Sequence, residues 1–229
     1  MEPHVKSKQR VADHGEVLTG RREVNAMLDL VKQEAERIES RFLEPACGTG
    51  NFLAEILERK LRVVEARYGR SQLEYERYAV LAVSSIYGID ILADNVRECQ
   101  KRLFGVFDSA YTRLFKKKCK EACRAAVRFV LERNIIWGDA LTLKTVGEKP
   151  GNIVFSEWSP VNGSMLKRRD FTFSELLRHE KAMQTPLFPG LENEEQLTLF
   201  SDLGEDVFIP TPEKDYPPVH FTEVGHVGQ

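Results

Sequence analysis

Hydrophobic residues recur along the chain in two alternating patterns. Apolar positions spaced three and four residues apart, which are typical of amphipathic helices, occur over residues 24–35, 52–67, 72–84, 94–107, 113–133 and 173–183. Short uninterrupted apolar runs, which are typical of buried strands, lie at the start of the stretch 41–53 and over 86–91, 134–141 and 152–156. This alternation predicts an α/β domain over residues 14–184, with a mostly parallel sheet and helices on both faces.

The two ends of the chain lack this periodicity. Residues 1–13 are polar, and Pro, Glu, Asp and Gly dominate residues 185–229. Segments of such composition bury too little apolar surface to offset the entropy lost on folding. We therefore expect a flexible N-terminus and an acidic, Pro-rich, partly disordered tail.

Two glycines interrupt the transition from the first strand to the next helix. The stretch 41–53 runs from an apolar segment through an acid and a proline to Gly48 and Gly50, and then into a helical pattern. Such a turn lies at the carboxyl edge of a parallel sheet, where ligands bind, and glycine allows close backbone approach. A P-loop is excluded because no Gly-Lys-Ser/Thr follows, and Leu53 occupies the third glycine position of a dinucleotide fingerprint.

An acidic residue stands at the end of each of three consecutive predicted strands. These residues are Glu44, Asp90 and Asp139. An acid at the end of the second strand binds ribose hydroxyls in nucleotide-binding α/β folds, which favours this role for Asp90. The alternative for Asp90, capping the next helix, suits Asp94 better. The sequence thus predicts a ligand site lined by acids at one sheet edge.

The ten residues Glu-Pro-Ala-Cys-Gly-Thr-Gly-Asn-Phe-Leu, positions 44–53, resemble the S-adenosylmethionine motif of adenine-N6 DNA methyltransferases, especially type I restriction modification subunits. The resemblance implies a Rossmann-like class I methyltransferase fold that binds S-adenosyl-L-methionine. It implies that Glu44 binds the methionine ammonium, Asp90 the ribose, and Asp139, within Gly-Asp-Ala-Leu, the adenine amino group. The other cofactor residues that it implies are Thr19, Pro45, Ala46, Cys47, Gly48, Thr49, Gly50, Asn51, Phe52, Ile91 and Ala140.

Thr19 lies in a segment, 14–24, that resembles the one preceding the glycine motif in these enzymes. Their Phe-Thr-Pro is replaced here by Leu18, Thr19 and Gly20. Thr19 would touch the cofactor, and it could also cap the helix that follows. These two roles are compatible.

The resemblance is weakest after the fourth predicted strand, 152–156. Amino-group methylases carry Asp/Asn-Pro-Pro-Tyr/Phe there, which binds the target amine and stacks on the extruded base. Glu157 and Trp158 take the places of the first two residues, and both prolines are missing. By position, Glu157 would polarise the amine and Trp158 would stack on the base. Only one or two of the three further strands of a complete methylase sheet can be found, so we expect the sheet to be incomplete.

These features support two hypotheses of different classes. The leading one is a prokaryotic or phage DNA methyltransferase that methylates adenine N6 in a restriction-modification system. The alternative is a catalytically inactive, methylase-like subunit that binds cofactor or DNA. A specificity or restriction subunit would be a partner under either hypothesis, and methylation of RNA or protein is also compatible with the cofactor motif.

The overall charge gives no general attraction to nucleic acid, because the net charge is −2 and the pI is near 6.3. DNA contacts would have to come from local clusters, of which the candidate is Lys167, Arg168 and Arg169; a solvated surface is the alternative. Basic residues form a stripe along the helix predicted over 113–133. We prefer to interpret this stripe as a solvated face, and phosphate binding is the alternative.

The tail contains a short candidate docking peptide. Gln196, Leu197, Leu199 and Phe200 resemble the motif by which bacterial proteins bind the DNA sliding clamp, and folding back onto the chain's own domain is the equal alternative. The four cysteines show no paired metal spacing and are expected to be reduced thiols. No apolar signal core or membrane-spanning run is present, so we expect a cytoplasmic protein without a membrane partner or metal.

Overall fold

Three parallel strands form the centre of the fold. In this computed structural model, which describes residues 19–183 and 210–226, β1 (Phe42–Glu44), β2 (Ile86–Asp90) and β3 (Ile135–Asp139) pair in that order. A short strand, β4 (Lys144–Thr145), pairs antiparallel with β3. The prediction of a mixed α/β fold with parallel strands is confirmed. The docking peptide Gln196, Leu197, Leu199 and Phe200 lies outside the described residues, as do residues 1–13.

Most helices cover one face of this sheet. α1 (Arg21–Leu30) and α2 (Lys32–Ala35) precede β1, α3 (Asn51–Tyr68) and α4 (Gln72–Ser84) join β1 to β2, and α5 (Ala93–Phe115) and α6 (Glu121–Asn134) join β2 to β3. Their apolar stripes enclose the larger hydrophobic core, which includes Leu28, Ile56, Val80, Leu103 and Val130. Each connection holds two helices, which explains the long spacing between the strand-end acids.

The helix predicted over residues 113–133 is broken in the structure. α5 continues to Phe115, a 3-10 turn (Lys116–Lys118) follows, and α6 begins at Glu121. Lys116 has φ 51°, a left-handed conformation that ends the helical path. A continuous helix would have turned Cys119 toward the core. With the break, Cys123 is fully buried and Cys119 only partly.

Acids neutralise much of the basic stripe on this segment. Arg113 contacts Glu65, Lys120 contacts Glu76, Arg124 contacts Asp108 and Arg128 contacts Glu121, with nitrogen–oxygen distances of 2.5, 2.9, 2.6 and 2.6 Å. The stripe therefore serves ion pairs within the protein, in line with the preferred interpretation as a solvated face.

A second, antiparallel sheet crosses the amino ends of the parallel strands. β5 (Val154–Pro160) pairs with β6 (Met165–Thr172), which also pairs with β7 (Lys214–Asp215) and β8 (Val219–His220). The strand predicted over residues 152–156 exists as part of β5, but its placement as a fourth strand of the parallel sheet is wrong, because its partner is the next strand along the chain. An apolar run does not distinguish parallel from antiparallel pairing.

The other face of the parallel sheet carries a smaller core and one helix. Tyr87, Ile89, Ile153, Phe155 and Phe173 form this core, and α7 (Phe173–Met183) adds Leu176 and Leu177. Helices thus lie on both faces, but very unequally.

The described part of the predicted tail is folded. Residues 210–226 supply β7, β8 and a 3-10 helix (Phe221–His226), and Phe221 and Val224 of that helix are buried in the larger core. Pairing with β6 satisfies backbone groups that an isolated two-residue strand would leave open. Across these ranges and residues 19–183, no helix has the length and apolarity needed to cross a membrane.

Candidate cofactor site

The turn after β1 follows a left-handed path at two positions. Gly48 has φ 53° and Gly50 has φ 82°, conformations that glycine adopts without steric cost. The Cys47 N–H donates to Ile89 O at 2.9 Å, which extends the β1–β2 pairing, and the Gly50 N–H donates to Cys47 O at 2.8 Å. Gly50 is the N-cap of α3 and has no side chain to cap it. The helix therefore begins with open backbone N–H groups at the carboxyl edge of the sheet.

Gly50 has a packing role that the sequence interpretation did not include. A Cβ atom at this position would lie 2.6 Å from Sγ of Cys99 on α5, closer than real Cβ contacts. The missing side chain thus lets α5 approach the turn. The sequence suggested that the missing Cβ of Gly50 makes room for a ligand. The space is filled by Cys99 instead.

One face of α5 supports the site through residues that sequence analysis missed. Asn95 donates from Nδ2 to Oδ1 of Asp90 at 3.3 Å, Cys99 packs on Gly50, and a guanidinium nitrogen of Arg102 donates to Oδ1 of Asn51. The supporting residues are spaced four and three apart, so they share one helix face. That spacing was visible in the sequence, but nothing there indicated which helix packs on the turn.

The three acids form a slanting row along the carboxyl edge. Glu44 is level with Gly88, and Asp90 is level with Trp137. Each acid therefore lies two residues further along the sheet than the acid on the preceding strand. With a rise of about 3.3 Å per residue and a strand spacing of about 4.8 Å, the outer two Cα positions lie roughly 16 Å apart. A single ligand that reached all three would have to be elongated.

Glu44 is the acid best prepared for a cationic ligand. It is half-buried, and burial raises the pKa of its carboxyl group, an effect that a hydrogen bond from the backbone of Ala46 partly offsets. No basic side chain among residues 19–183 and 210–226 forms an ion pair with it. A buried carboxylate without a countercharge favours binding of a cation.

Asp90 supports the glycine turn directly. Its Oδ2 accepts from the Gly48 N–H at 2.8 Å and its Oδ1 accepts from the Leu92 N–H at 2.8 Å. With the bond from Asn95, three of roughly four acceptor positions on this carboxylate are occupied. Asp90 therefore shapes the loop at the end of β2 and holds the turn above β1.

Asp139 shapes the exit from β3. Its Oδ1 accepts from the Leu141 N–H at 2.9 Å and its Oδ2 accepts from the Thr142 hydroxyl at 3.0 Å. These two bonds lower the pKa of the carboxyl group, so it is ionised at neutral pH.

The remaining predicted cofactor residues fall into two groups. The side chains of Cys47 and Thr49 are buried, so these residues and Gly50 could meet a ligand only through the backbone. Pro45 and Ala46 are exposed, and Asn51, Phe52 and Ala140 are half-buried. Ile91 is 47% exposed, and Trp137, whose Nε1 donates to Ile91 O at 2.9 Å, is 40% exposed. An apolar surface thus lies beside the acids.

Thr19 lies next to the start of α3 and does not cap α1. Its carbonyl oxygen accepts from Nδ2 of Asn51 at 3.2 Å, which places it beside the glycine turn. The N-cap of α1 is Gly20, so the capping interpretation was wrong by one residue.

The predicted catalytic residues lie at the opposite end of the sheet. Glu157 contacts Arg41, directly before β1, and Trp158 donates to Asn134, directly before β3. At about 3.3 Å per residue, Arg41 lies about 10 Å before the end of β1 and Asn134 about 16 Å before the end of β3. Trp158 is also 5% exposed and belongs to the larger core, so it offers no open stacking surface. The prediction that Glu157 and Trp158 form a loop facing the cofactor is corrected, because both lie within β5.

Each residue of the predicted nucleic-acid cluster forms an ion pair within the protein. Arg168 is buried and donates from Nε and Nη2 to the two carboxylate oxygens of Asp170, at 2.8 and 2.6 Å. Lys167 contacts Asp215 at 2.9 Å and Arg169 contacts Glu157 at 2.7 Å. Arg168 cannot reach a phosphate, and its two neighbours present no free basic patch. The assignment of Arg168 to DNA binding is therefore corrected, and the assignment of Lys167 and Arg169 stays a prediction for two residues that already form ion pairs.

Comparison of the chain with family models, with curated proteins and with solved structures found no match.

Proposed function

We propose that the chain binds S-adenosyl-L-methionine at the carboxyl edge of its parallel sheet and serves as the cofactor-binding subunit of a methylase-like system. The observation that carries this proposal is Glu44, a half-buried acid without a basic partner in the described chain, beside the uncapped start of α3. The methionine ammonium is the group that such an acid would bind.

The rest of the edge is chemically suited to the same ligand. The backbone N–H groups of α3 and the positive end of its dipole suit the methionine carboxylate. Ile91 and Trp137 supply an apolar surface on the side of Asp90 and Asp139, as the adenine ring requires. Hydrogen bonds from the ribose to Asp90 would compete with those that already hold the turn. We therefore assign Asp90 mainly to positioning.

The proposed subunit role follows from where the other residues lie. Glu157 and Trp158, which the sequence predicted for the chemistry of the target base, lie at the opposite end of the strands from the carboxyl edge. A partner, such as a specificity or restriction subunit, would then supply target recognition and the catalytic loop. This is the inactive-subunit hypothesis, with type I restriction modification subunits as the family that the glycine motif resembles.

A complete adenine-N6 DNA methyltransferase remains the second candidate. One observation favours it: the ring of Trp137 is 40% exposed at the carboxyl edge, where an extruded base could stack. In that case Trp137, and not Trp158, would contact the base.

Calorimetry with S-adenosylmethionine tests the cofactor site. Glu44→Gln removes the charge without changing the size, and we expect an affinity loss of about tenfold or more, because a charged hydrogen bond is worth about 1.5–3 kcal/mol. Glu39→Gln is the matched control, since Glu39 is an exposed acid that pairs with Arg37 before β1. Absence of binding by the wild type would refute the proposal.

A radiolabelled methyl-transfer assay separates the two candidates. The wild type is incubated with labelled cofactor and unmethylated DNA. Cofactor binding without labelling supports the subunit role, whereas labelling that Trp137→Ala abolishes and Trp158→Phe retains supports the complete enzyme.

A further inference from the structure

A cavity of about 480 Å³ lies between the second face of the parallel sheet and the antiparallel sheet. Leu43 and Tyr87, which are register partners on β1 and β2, form one wall. Phe155, Phe171, Leu176 and Leu177 form the other. Its volume falls within the range of about 300–1,000 Å³ that is usual for small-ligand sites. This cavity is separate from the carboxyl edge, because Glu157 and Arg41 at its rim mark the amino end of β1.

The apolar wall is built of mutually packed rings. Phe155 packs edge-on against Tyr87 and Phe173, with ring centroids 5.4 Å apart in both pairs. The Tyr87 hydroxyl donates to Ser156 O at 3.0 Å, which fixes this ring against β5. Rings held in this way leave a cavity that is formed before any ligand arrives, which lowers the entropic cost of binding.

The rim of the cavity carries an excess of positive charge. Glu157 is held between Arg41 and Arg169, so two guanidinium groups share one carboxylate. Arg41 is 56% exposed, whereas Glu157 is 17% exposed. The neighbouring basic residues Arg168 and Lys167 have their own acids, Asp170 and Asp215. The rim is thus complementary to one further anionic group, which Arg41 can reach from the solvent side.

We propose that this cavity is a second ligand site, which binds a small amphipathic carboxylic acid. The apolar body of the ligand lies against Leu43, Leu176 and Leu177, and its carboxylate pairs with Arg41. The apolar wall favours the hydrocarbon part of such a molecule, and the accessible guanidinium favours its carboxylate. A neutral alkane would contact only the wall, and a compact anion would contact only the guanidinium.

Decanoate is a suitable probe, and decanol is its neutral counterpart. Titrations followed by methyl-resolved NMR should shift the signals of Leu43, Leu176 and Leu177 and leave the distant Leu30 unchanged. We expect decanoate to bind about tenfold more tightly than decanol, because only the acid forms a charge-assisted hydrogen bond. If decanoate does not shift the three signals, for example because another part of the chain fills the cavity, the proposal is overturned.

Two variants test the two halves of the site. Arg41→Gln should reduce the affinity for decanoate to that for decanol, while Glu157 keeps its partner Arg169. Arg37→Gln is the matched control, because Arg37 is an exposed arginine that pairs with Glu39 outside the cavity. Leu43→Trp should block both probes by filling the cavity, and Leu43 is exposed enough to accept it. Equal decanoate binding by wild type and Arg41→Gln would overturn the assignment of the anionic group.

Discussion

The indole nitrogen of Trp158 donates a hydrogen bond to the side-chain oxygen of Asn134 at 3.1 Å. Asn134 in turn donates from Nδ2 to the backbone oxygens of Ser84 and Ile86, both at 3.1 Å. This chain of bonds joins the antiparallel sheet to the amino ends of β2 and β3. Trp158 therefore stabilises the junction between the two sheets.

Replacing Trp158 should affect stability before any binding property. Trp158→Ala removes a buried ring, and we expect a loss of about 3–5 kcal/mol in the free energy of unfolding. Urea denaturation measures this loss, and Trp137→Ala, at a 40% exposed position, is the control with a smaller expected effect. An unchanged unfolding midpoint for Trp158→Ala would contradict the placement in the core.

Gly50 should tolerate no larger side chain while Cys99 is present. Gly50→Ala places a Cβ atom 2.6 Å from the Cys99 sulfur and strains a backbone with φ 82°. We expect the free energy of unfolding to fall by about 1–3 kcal/mol because of this overpacking. Cys99→Ala removes the clash but not the backbone strain. A double-mutant cycle by urea denaturation should therefore show that the two changes together cost less than their sum. Strict additivity would show that the contact does not set the cost.

Lys60 should make stability depend on pH. Its ammonium is buried, donates to the backbone oxygens of Ile38 and Ser40 and to the Ser85 hydroxyl, and burial lowers its pKa to about 7. The unfolded chain binds this proton up to a pKa near 10.4, so between these values the unfolded state holds more protons and rising pH stabilises the fold.

Denaturant unfolding at several pH values measures this dependence. The slope of stability against pH between about 7 and 10 should be smaller in Lys60→Met than in the wild type, by up to about 1.4 kcal/mol per pH unit. Lys32→Met is the control, because Lys32 is exposed. Parallel curves for the wild type and Lys60→Met would refute the buried titration.

Arg168 and Lys167 should differ sharply although they are neighbours in the basic cluster. Arg168→Leu leaves the buried Asp170 with hydrogen bonds from Ser156 and Tyr216 but without its countercharge, which should cost about 3–5 kcal/mol of folding free energy. Lys167→Gln breaks an exposed pair with Asp215 and should change stability by only about 0–1 kcal/mol. Thermal unfolding of the two variants compares them. Similar unfolding temperatures would argue against the buried network.

Local signals allowed much of the parallel half to be predicted. Helix α4 has the predicted bounds, because Ser71 accepts from the Glu74 N–H at its start and β2 follows at its end. The position of the three strand-end acids was also predictable, because the carboxyl ends of parallel strands meet at the same edge of a sheet. Asn95, Cys99 and Arg102 were missed because their role depends on how α5 docks.

The failures concern partners that the local sequence pattern does not specify. Nothing in the apolar run of β5 distinguishes a parallel neighbour of β1 from an antiparallel partner of β6. Arg168 was predicted to lie at the surface because charged residues are rarely buried. Its ion pair with Asp170 offsets the cost of removing the guanidinium from water. Strands as short as β7 and β8 leave no periodic signal at all.

The pairing of residues 210–226 with β6 and α6 also bears on the order in which the molecule assembles. Contacts within the parallel half join segments that are neighbours in sequence, whereas Phe221 and Val224 complete a core that α6 began much earlier in the chain. Contacts between distant segments form slowly because long loops must close first. During synthesis on the ribosome, the edge that carries Glu44, Asp90 and Asp139 can form while Phe129 and Trp158 are still uncovered. Newly made chains should therefore be most prone to aggregate just before residues 210–226 emerge.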